Sequence, residues 1–199
     1  MGGSIIYMKH NVPFYSQYDD VTQSEWRSRS CTIVCMKMAL EYLTELEIPS
    51  ADKLIAEGLY IGAHTPDGWS HHKTALLAHN YGAPAYLEEF RSVYIDAEGQ
   101  RAQASTHEIG MRDFGIEKIA SAIKAGNLVI VSALRNLDVN GTFHTILITG
   151  VEEKEGRVLG FYFHDPDTTT ERRVNSFIEL PDFLLIWRKM AIFIGKNRL

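Results

Sequence analysis

The sequence WRSRSCTIVCMKMALEYL, residues 26–43, decides the fold of this chain. Its first part is polar and basic and ends at Ser30, and an apolar pattern with three- and four-residue steps begins at Cys31. Such spacing is typical of an amphipathic helix, and Ser28 or Ser30 is a suitable N-cap residue. The pattern therefore predicts a helix that runs from Cys31 to about Glu47.

This helix places Cys31 in its first turn. The helix dipole and the unpaired backbone N–H groups at that position favour the thiolate, the form of cysteine that attacks carbonyl carbons. We interpret Cys31 as a nucleophile. The alternative is a small buried hydrophobic residue, which is the ordinary role of a lone cysteine.

The composition limits the classes of protein to which the chain can belong. Its 199 residues, 45% hydrophobic and 23% charged, suffice for one globular domain or for two lobes around a cleft. The net charge is −5 and the only compact basic cluster is residues 27–29, which argues against a nucleic-acid partner. No apolar run approaches the roughly 20 residues of a membrane span.

The two cysteines are expected to be free thiols. On one helix face Cys31 and Cys35 point in nearly the same direction, which is poor geometry for a disulfide. Free thiols and the lack of a visible signal peptide predict a cytoplasmic protein. We expect no metal, because two thiols make a weak zinc motif and because His71, His72 and His79 lack acidic or cysteine partners at a suitable spacing.

Helical patterns come first along the chain and strand patterns second. Helices are predicted at 31–47, 51–60, 71–80, 116–124 and 179–187, strands at 86–87, 93–95, 128–134, 143–151, 158–165, 172–178 and 190–195, and a mobile loop at 98–110. This order indicates an α+β fold with a mostly antiparallel sheet. We predict one domain over 1–199, with a helical lobe at about 1–82 and a sheet lobe at about 83–199.

A cysteine nucleophile needs a base, usually histidine, and a group that orients the imidazole. The sequence EKEG forms a tight connection between FHTILITGV and VLGFYFHD. If this hairpin is centred between Lys154 and Glu155, His144 faces Asp165 directly, with Cβ atoms about 5 Å apart. A slip of one residue would instead pair His144 with His164.

Each of the two residues also has a simpler explanation. His144 alone is consistent with a strand-end residue bound to the backbone, and Asp165 before Pro166 is consistent with a turn former. The joint placement of a histidine and a carboxylate on neighbouring strands favours the catalytic interpretation.

These residues together resemble the C39-like branch of the papain-like cysteine peptidases. The similarity rests on order and local context: Gln17 in VPFYSQYDD, Cys31 in CTIVCMKMAL, the segment GIEKIASAIKAGNLVIVSAL, His144 in FHTILITGVE and Asp165 in FHDP. It spans nearly the whole chain, from about Val12 to the last strand. The implied papain-like fold packs an N-terminal helical lobe with the cysteine on an antiparallel sheet with the histidine and aspartate, and the substrate lies between them.

The resemblance also implies a role for each residue. Gln17 would help to form the oxyanion hole, Cys31 would be the nucleophile, His144 the general base and Asp165 the group that orients it. The implied partner is a peptide or protein substrate, and no cofactor is needed. The sequence departs from the family at Thr32, where the family usually has a glycine, and the larger residue would narrow the oxyanion region or alter substrate access.

Three functions are compatible with these residues. The first is a hydrolase that cleaves a peptide or isopeptide bond through a thioester, and the second is an acyltransferase that passes the same thioester to an amine. The third is a peptide-binding module on a scaffold that has lost its activity. The presence of all four residues favours an enzyme, and Trp69, His71 and the loop at 98–110 are expected to border its cleft.

Overall fold

The structure is a computed structural model that describes residues 4–91 and 106–196. The strands are β1 (Ile5–Lys9), β2 (His64–Thr65), β3 (Gly68–Trp69), β4 (Ala85–Glu89), β5 (Leu128–Leu134), β6 (Phe143–Lys154), β7 (Arg157–His164), β8 (Ser176–Glu179) and β9 (Met190–Ile194). The helices are α1 (Cys31–Leu43), α2 (Ala51–Tyr60), α3 (His71–His79), α4 (Thr106–Lys124) and α5 (Leu180–Ile186), and a short 3₁₀ helix spans Arg135–Leu137. The predicted strand at 93–95 lies outside the described residues, as does the predicted loop as far as residue 105.

Seven strands form one sheet. Six of them follow the order β4-β9-β5-β6-β7-β8, and the seventh, β1, pairs with residues 150–154 at the C-terminal end of β6. Every pairing in this sheet is antiparallel. The helices pack on the sheet, so the predicted α+β class is confirmed. Strand β1 lies within the predicted helical lobe yet joins the sheet, while α4 and α5 lie within the predicted sheet lobe.

Helix α1 is the central helix of the fold. It packs against β6 on one side and against α2 and α3 on others, and eleven of its 13 residues are buried. The expected polar face is therefore absent: Lys37 is buried, forms an ion pair with Glu41 and lies over the ring of Tyr15. The helix ends at Leu43 rather than near Glu47.

The early end of α1 has a local cause. Thr44 adopts an extended conformation, with φ −121° and ψ 160°, so the helix cannot continue through it. Both its backbone N–H and its hydroxyl donate to the carbonyl oxygen of Leu40, at 2.9 and 3.0 Å. These two bonds satisfy a carbonyl that the end of a helix would otherwise leave unpaired.

Helix α4 begins at Thr106, ten residues before the predicted start at Ile116. Its early turns carry polar residues and little apolar periodicity, so sequence alone does not favour a helix there. Tertiary contacts stabilise them instead, since Glu108 forms an ion pair with Lys189 and Phe114 packs against Phe90 with ring centroids 6.2 Å apart.

The turn between β6 and β7 corrects the predicted register. Lys154 pairs with Arg157, so the turn residues are Glu155 and Gly156, with φ of 52° and 76°. Two consecutive positive φ values define the type I′ turn that suits a two-residue hairpin. The centre of the hairpin is therefore one residue later than predicted.

Two irregularities in the β6–β7 ladder, between Ile148 and Gly150 and between Glu152 and Glu153, offset each other, so the far end of the hairpin keeps the register that the turn sets. At the far end of the hairpin Leu147 pairs with His164, and β7 stops there. His144 therefore pairs with Ala133 of β5, not with Asp165. The predicted strand pairing of His144 with Asp165 is wrong.

Gly115 on α4 tests the packing of this helix. A Cβ atom at this position would lie 2.7 Å from both the Phe90 and the Trp187 rings. We expect Gly115→Val to lower the free energy of unfolding by about 1–3 kcal/mol, because overpacking forces buried rings to move. Urea unfolding measures this change.

Gly110 provides the matched control on the same helix. Nothing lies within 4 Å of a Cβ atom built there, so Gly110→Ala is expected to raise stability by about 0.5–1 kcal/mol through helix propensity. Equal effects of the two substitutions would contradict the packing of α4 against Phe90 and Trp187.

Candidate active site

Cys31 is the first residue of α1, and only 9% of it is exposed. Ser30 occupies the N-cap position but makes no side-chain capping bond, so the first N–H groups of the helix stay available. The sulfur lies 4.0 Å from the hydroxyl of Thr32, which accepts a 3.3 Å hydrogen bond from Thr145. Thr145 thereby connects the start of α1 to β6.

His144 and Asp165 form the central contact of the site. Nε2 of His144 lies 2.6 Å from Oδ1 of Asp165, and both side chains are 1% exposed. Nδ1 of the same imidazole has no hydrogen-bond partner within the described part of the chain. One ring nitrogen is thus fixed by a carboxylate, and the other is available to the Cys31 thiol.

Asp165 is itself held from three directions. Its backbone N–H donates to the carbonyl oxygen of Arg173 at 3.0 Å, and its Oδ1 accepts from the backbone N–H of Asp167 at 2.9 Å. Nη1 of Arg173 lies 3.4 Å from the other carboxylate oxygen. These contacts keep the carboxylate in place beside His144 although no strand ladder pairs the two residues.

The electrostatics of the site favour a charged pair. Burial raises the pKa of the Cys31 thiol, but the nearby charge of His144 and the polar groups of His144 and Thr145 outweigh it and lower the pKa to about 7. Burial lowers the pKa of His144, while the charge of Cys31 and the hydrogen bond with Asp165 raise it to about 10. At neutral pH, therefore, much of the protein holds a thiolate beside an imidazolium.

Cys35 behaves in the opposite way, although it lies one helical turn from Cys31. Burial raises its pKa well above that of an ordinary thiol, and the nearby charges of Cys31 and Asp165 add to this rise. Its sulfur lies 3.7 Å from the Thr145 carbonyl oxygen, and both cysteines are free thiols, as predicted. Cys35 therefore stays protonated as part of the core.

Gln17 is fully buried and lies beside the Asp165 segment, because its backbone N–H donates to the carbonyl oxygen of Pro166 at 2.9 Å. Neither Nε2 nor Oε1 of its side chain has a hydrogen-bond partner among residues 4–91 and 106–196. A buried amide without a partner is unfavourable by about 1–3 kcal/mol. Gln17 does not line the cleft directly, unlike Cys31 and His144.

A cleft of about 770 Å³ opens above Cys31 and His144. Trp69 and His71 line it, as the sequence predicts, and the indole N–H of Trp69 donates to the carbonyl oxygen of Arg29 at 2.6 Å. A cavity of this size lies within the range of ligand-binding clefts.

Some contributors to the site were not predicted from the sequence. Thr145 directly follows His144, and this position was the only indication of its role. No sequence pattern indicated a role for Arg173, because it lies in a loop and approaches Asp165 only in the folded chain. His164, the partner expected after a slip in register, lies elsewhere: its Nε2 bonds the carbonyl oxygen of Val12 at 3.0 Å.

Within the described ranges, no group of three or more His, Cys, Asp or Glu side chains is arranged to hold a metal ion. Over the same ranges, no helix has the length and hydrophobicity needed to cross a bilayer.

The model of the Peptidase_C39 like family matches residues 9–192, which is most of the chain. This chain belongs to the Peptidase_C39 like family. The match covers every element from α1 to α5 and the first part of β9 in this C39-like protein, including the segments that carry Cys31, His144 and Asp165. Among curated proteins, no sequence matches this chain.

Solved structures share the fold of this C39-like protein. A protein assigned as a C39-like peptidase from Bacillus anthracis superposes with a TM-score of 0.60 at 17% identity, covering 94% of this chain and 96% of that one. The peptidase domain of Streptococcus ComA, a bifunctional ABC transporter involved in a quorum-sensing pathway, gives 0.52 at 12% identity, covering 85% and 93%.

A third structure of the same fold contains a ligand. It is a double-glycine-motif protease from an AMS/PCAT transporter in complex with the leader peptide, with a TM-score of 0.51 at 13% identity and coverage of 95% and 94%. At these identities the three comparisons establish the fold and nothing finer.

Proposed function

We propose that this C39-like protein is a cysteine peptidase that cleaves a peptide or isopeptide bond through Cys31, His144 and Asp165. The observation that carries the proposal is the 2.6 Å contact between His144 and Asp165, which leaves Nδ1 of the imidazole for a cysteine at a helix N-terminus. A nucleophile, a base and a group that orients the base are the requirements of thiol catalysis. Membership of a peptidase family supports the same chemistry.

The proposed reaction has two steps. In the first, the Cys31 thiolate forms a bond to the carbonyl carbon, the C–N bond breaks, and the His144 imidazolium gives its proton to the leaving amine. In the second, His144 takes a proton from water, the resulting hydroxide attacks the thioester, and Cys31 leaves as the thiolate. Asp165 holds the imidazole in the orientation and tautomer that both steps require.

The oxyanion of each step needs hydrogen-bond donors. The backbone N–H of Cys31 is one of the unpaired groups at the start of α1, and the side-chain amide of Gln17 is the second donor we propose. Donors of this kind contribute about 3 kcal/mol each to the stability of a transition state. The lack of a protein partner for the buried Gln17 amide supports this role.

A peptide is the substrate class that the site supports best. Cys31 and His144 line a cleft of about 770 Å³, and a structure of the same fold holds a leader peptide. Thr32 lies next to the proposed oxyanion site and bonds with Thr145, so the larger side chain is accommodated by β6.

The pH dependence of cysteine alkylation tests the proposed ion pair. We expect the rate of Cys31 alkylation by iodoacetamide to be half-maximal near pH 7 and to fall about tenfold per pH unit below it, because the thiolate is protonated as the pH falls through its pKa. Mass spectrometry of tryptic peptides follows each cysteine separately. Cys35 serves as the internal control and should react slowly throughout, because burial raises its pKa. A common apparent pKa for both cysteines, near that of an ordinary thiol, would contradict the proposal.

A further inference from the structure

The cleft has the opposite charge to the chain as a whole. The chain has 20 Lys and Arg against 25 Asp and Glu. The described residues that line the cleft include four arginines and a single carboxylate: Arg29, Arg91, Arg135, Arg188 and Asp67. The excess of cationic groups makes the cleft locally positive, and a positive cleft concentrates anionic ligands.

Two of these arginines are paired with carboxylates of the protein. Nη1 of Arg135 lies 3.3 Å from Oδ2 of Asp167, and Nε of Arg91 lies 2.8 Å from Oε2 of Glu89. Arg188 differs, because no carboxylate of the described residues lies within 4 Å of its guanidinium group. The charge of Arg188 is therefore not balanced by direct contact within this part of the chain.

Arg188 is nevertheless held firmly. Its Nη1 donates to the hydroxyl of Ser132 at 3.1 Å, and its backbone N–H donates to the carbonyl oxygen of the same residue at 2.9 Å. Its guanidinium carbon lies 3.5 Å from the centre of the Phe143 ring, which is the geometry of a stacked cation–π contact. Of the five N–H groups of the guanidinium, only one has an acceptor among the described residues.

The position of Arg188 relative to Cys31 follows from the sheet. Ser132 pairs directly with Thr145 across β5 and β6, and Thr145 bonds to Thr32 beside the nucleophile. The guanidinium therefore lies on the order of 10 Å from the Cys31 sulfur, which an extended peptide spans with about three residues.

The surroundings of Arg188 are short of negative charge. Burial lowers the pKa of Arg188, as does the charge of Arg91, and only Glu89 opposes them. The pKa of His71 is also lowered, first by burial and then by the charge of Arg188. A ligand carboxylate at this position would relieve the repulsion between the two arginines and form a paired hydrogen bond with a guanidinium.

We propose that this end of the cleft is a subsite for a carboxylate group of the peptide substrate, bound by Arg188 with Arg91 as the second cation. The inference rests on the proposed function, because it assigns the substrate to the same cleft. The carboxylate is either an Asp or Glu side chain about three residues from the scissile bond or the free C-terminus of a short peptide.

Matched peptide pools test the subsite without requiring cleavage. One pool of random-sequence decapeptides carries Glu at a fixed position and the other carries Gln, and each is made with a free or an amidated C-terminus. Immobilised full-length Cys31→Ala protein is exposed to both pools, and mass spectrometry measures the retained peptides. We expect the carboxylate forms to be retained about tenfold more than their amide counterparts. This preference should become smaller at high salt, which screens the charges. The Glu/Gln and acid/amide comparisons separate the two sources of the carboxylate.

Three substitutions in the Cys31→Ala background identify the residue that produces the preference for carboxylates. Arg188→Gln should abolish the preference, whereas Arg157→Gln, which removes the same charge from the exposed first residue of β7, should retain it. Arg188→Lys keeps the charge and loses the planar fork, so an intermediate preference is expected even if the Gln variant folds poorly. Equal retention of all peptides by the parent, or an unchanged preference in both Arg188 variants, would overturn the proposal.

Digestion of the same pools by the unmodified protein separates this inference from the proposed function. Cleavage with no preference for carboxylates would support the peptidase and overturn the subsite. If nothing is cleaved while the Cys31→Ala protein still selects carboxylates, the subsite is supported and the peptidase is not.

Discussion

Replacement of Cys31 by serine is expected to lower hydrolysis of the decapeptide pools by about 10⁴-fold or more, since loss of the nucleophile removes the covalent route. The hydroxyl of serine is far less acidic than the thiol of Cys31, whose pKa is about 7, so His144 cannot hold it as an anion. Initial rates of product formation, measured by mass spectrometry, give the effect.

Cys35→Ser is the matched control, because it makes the same chemical change one helical turn away. Its hydroxyl can still donate to the Thr145 carbonyl oxygen, as the thiol does. We expect this variant to keep most of the activity and to lose some stability through burial of a more polar group. Comparable activity in Cys31→Ser and in the unmodified protein would remove Cys31 from the mechanism.

The second large effect is expected for His144→Ala. Without the imidazolium, burial dominates, so the pKa of Cys31 is expected to rise above the ~8.5 of a free thiol. At pH 7 the thiolate fraction would then fall from about one half to about one hundredth, so alkylation should slow by about 50-fold or more. Peptide hydrolysis should fall by a larger factor, because the general base is lost as well.

His72→Ala controls for the removal of a histidine from the same part of the molecule. His72 is exposed on α3, and neither the thiol nor Asp165 contacts it. The alkylation profile of Cys31 in this variant should coincide with that of the unmodified protein. An alkylation profile of Cys31 that is unchanged in His144→Ala would show that another group sets the acidity of the thiol.

Local sequence patterns were sufficient to predict the elements that depend on local interactions. Strand β5 has the predicted bounds because it is a continuous apolar run, and α2 begins where Ser50 accepts a hydrogen bond from the backbone N–H of Lys53. The start of α4 and the end of α1 were not predicted correctly. The start of α4 depends on the ion pair of Glu108 with Lys189 and on the contact of Phe114 with Phe90, which are distant in sequence. The end of α1 depends on the conformation of Thr44.

In the candidate site, the contact between His144 and Asp165 was expected for a reason that proved wrong. The proximity of His144 and Asp165 was inferred from a hairpin register that the structure contradicts. The two residues meet because Asp165 lies just beyond the end of β7, where Arg173 and Asp167 hold it. The turn lies one residue later than predicted, and loop contacts leave no periodic pattern in a sequence, so this part of the arrangement could not be derived from it. The catalytic roles and the acyl acceptor stay predictions.

The proposed role of the buried Gln17 amide would place folding and activity in opposition. No protein group in the described chain satisfies it, so an apolar side chain of similar size would lose no hydrogen bond there and would avoid the unfavourable burial of a polar group. The most stable sequence at this position is therefore not the one that the proposed chemistry needs. Selection for stability alone would remove Gln17, so under the proposed function its presence reflects a loss of stability in exchange for catalysis.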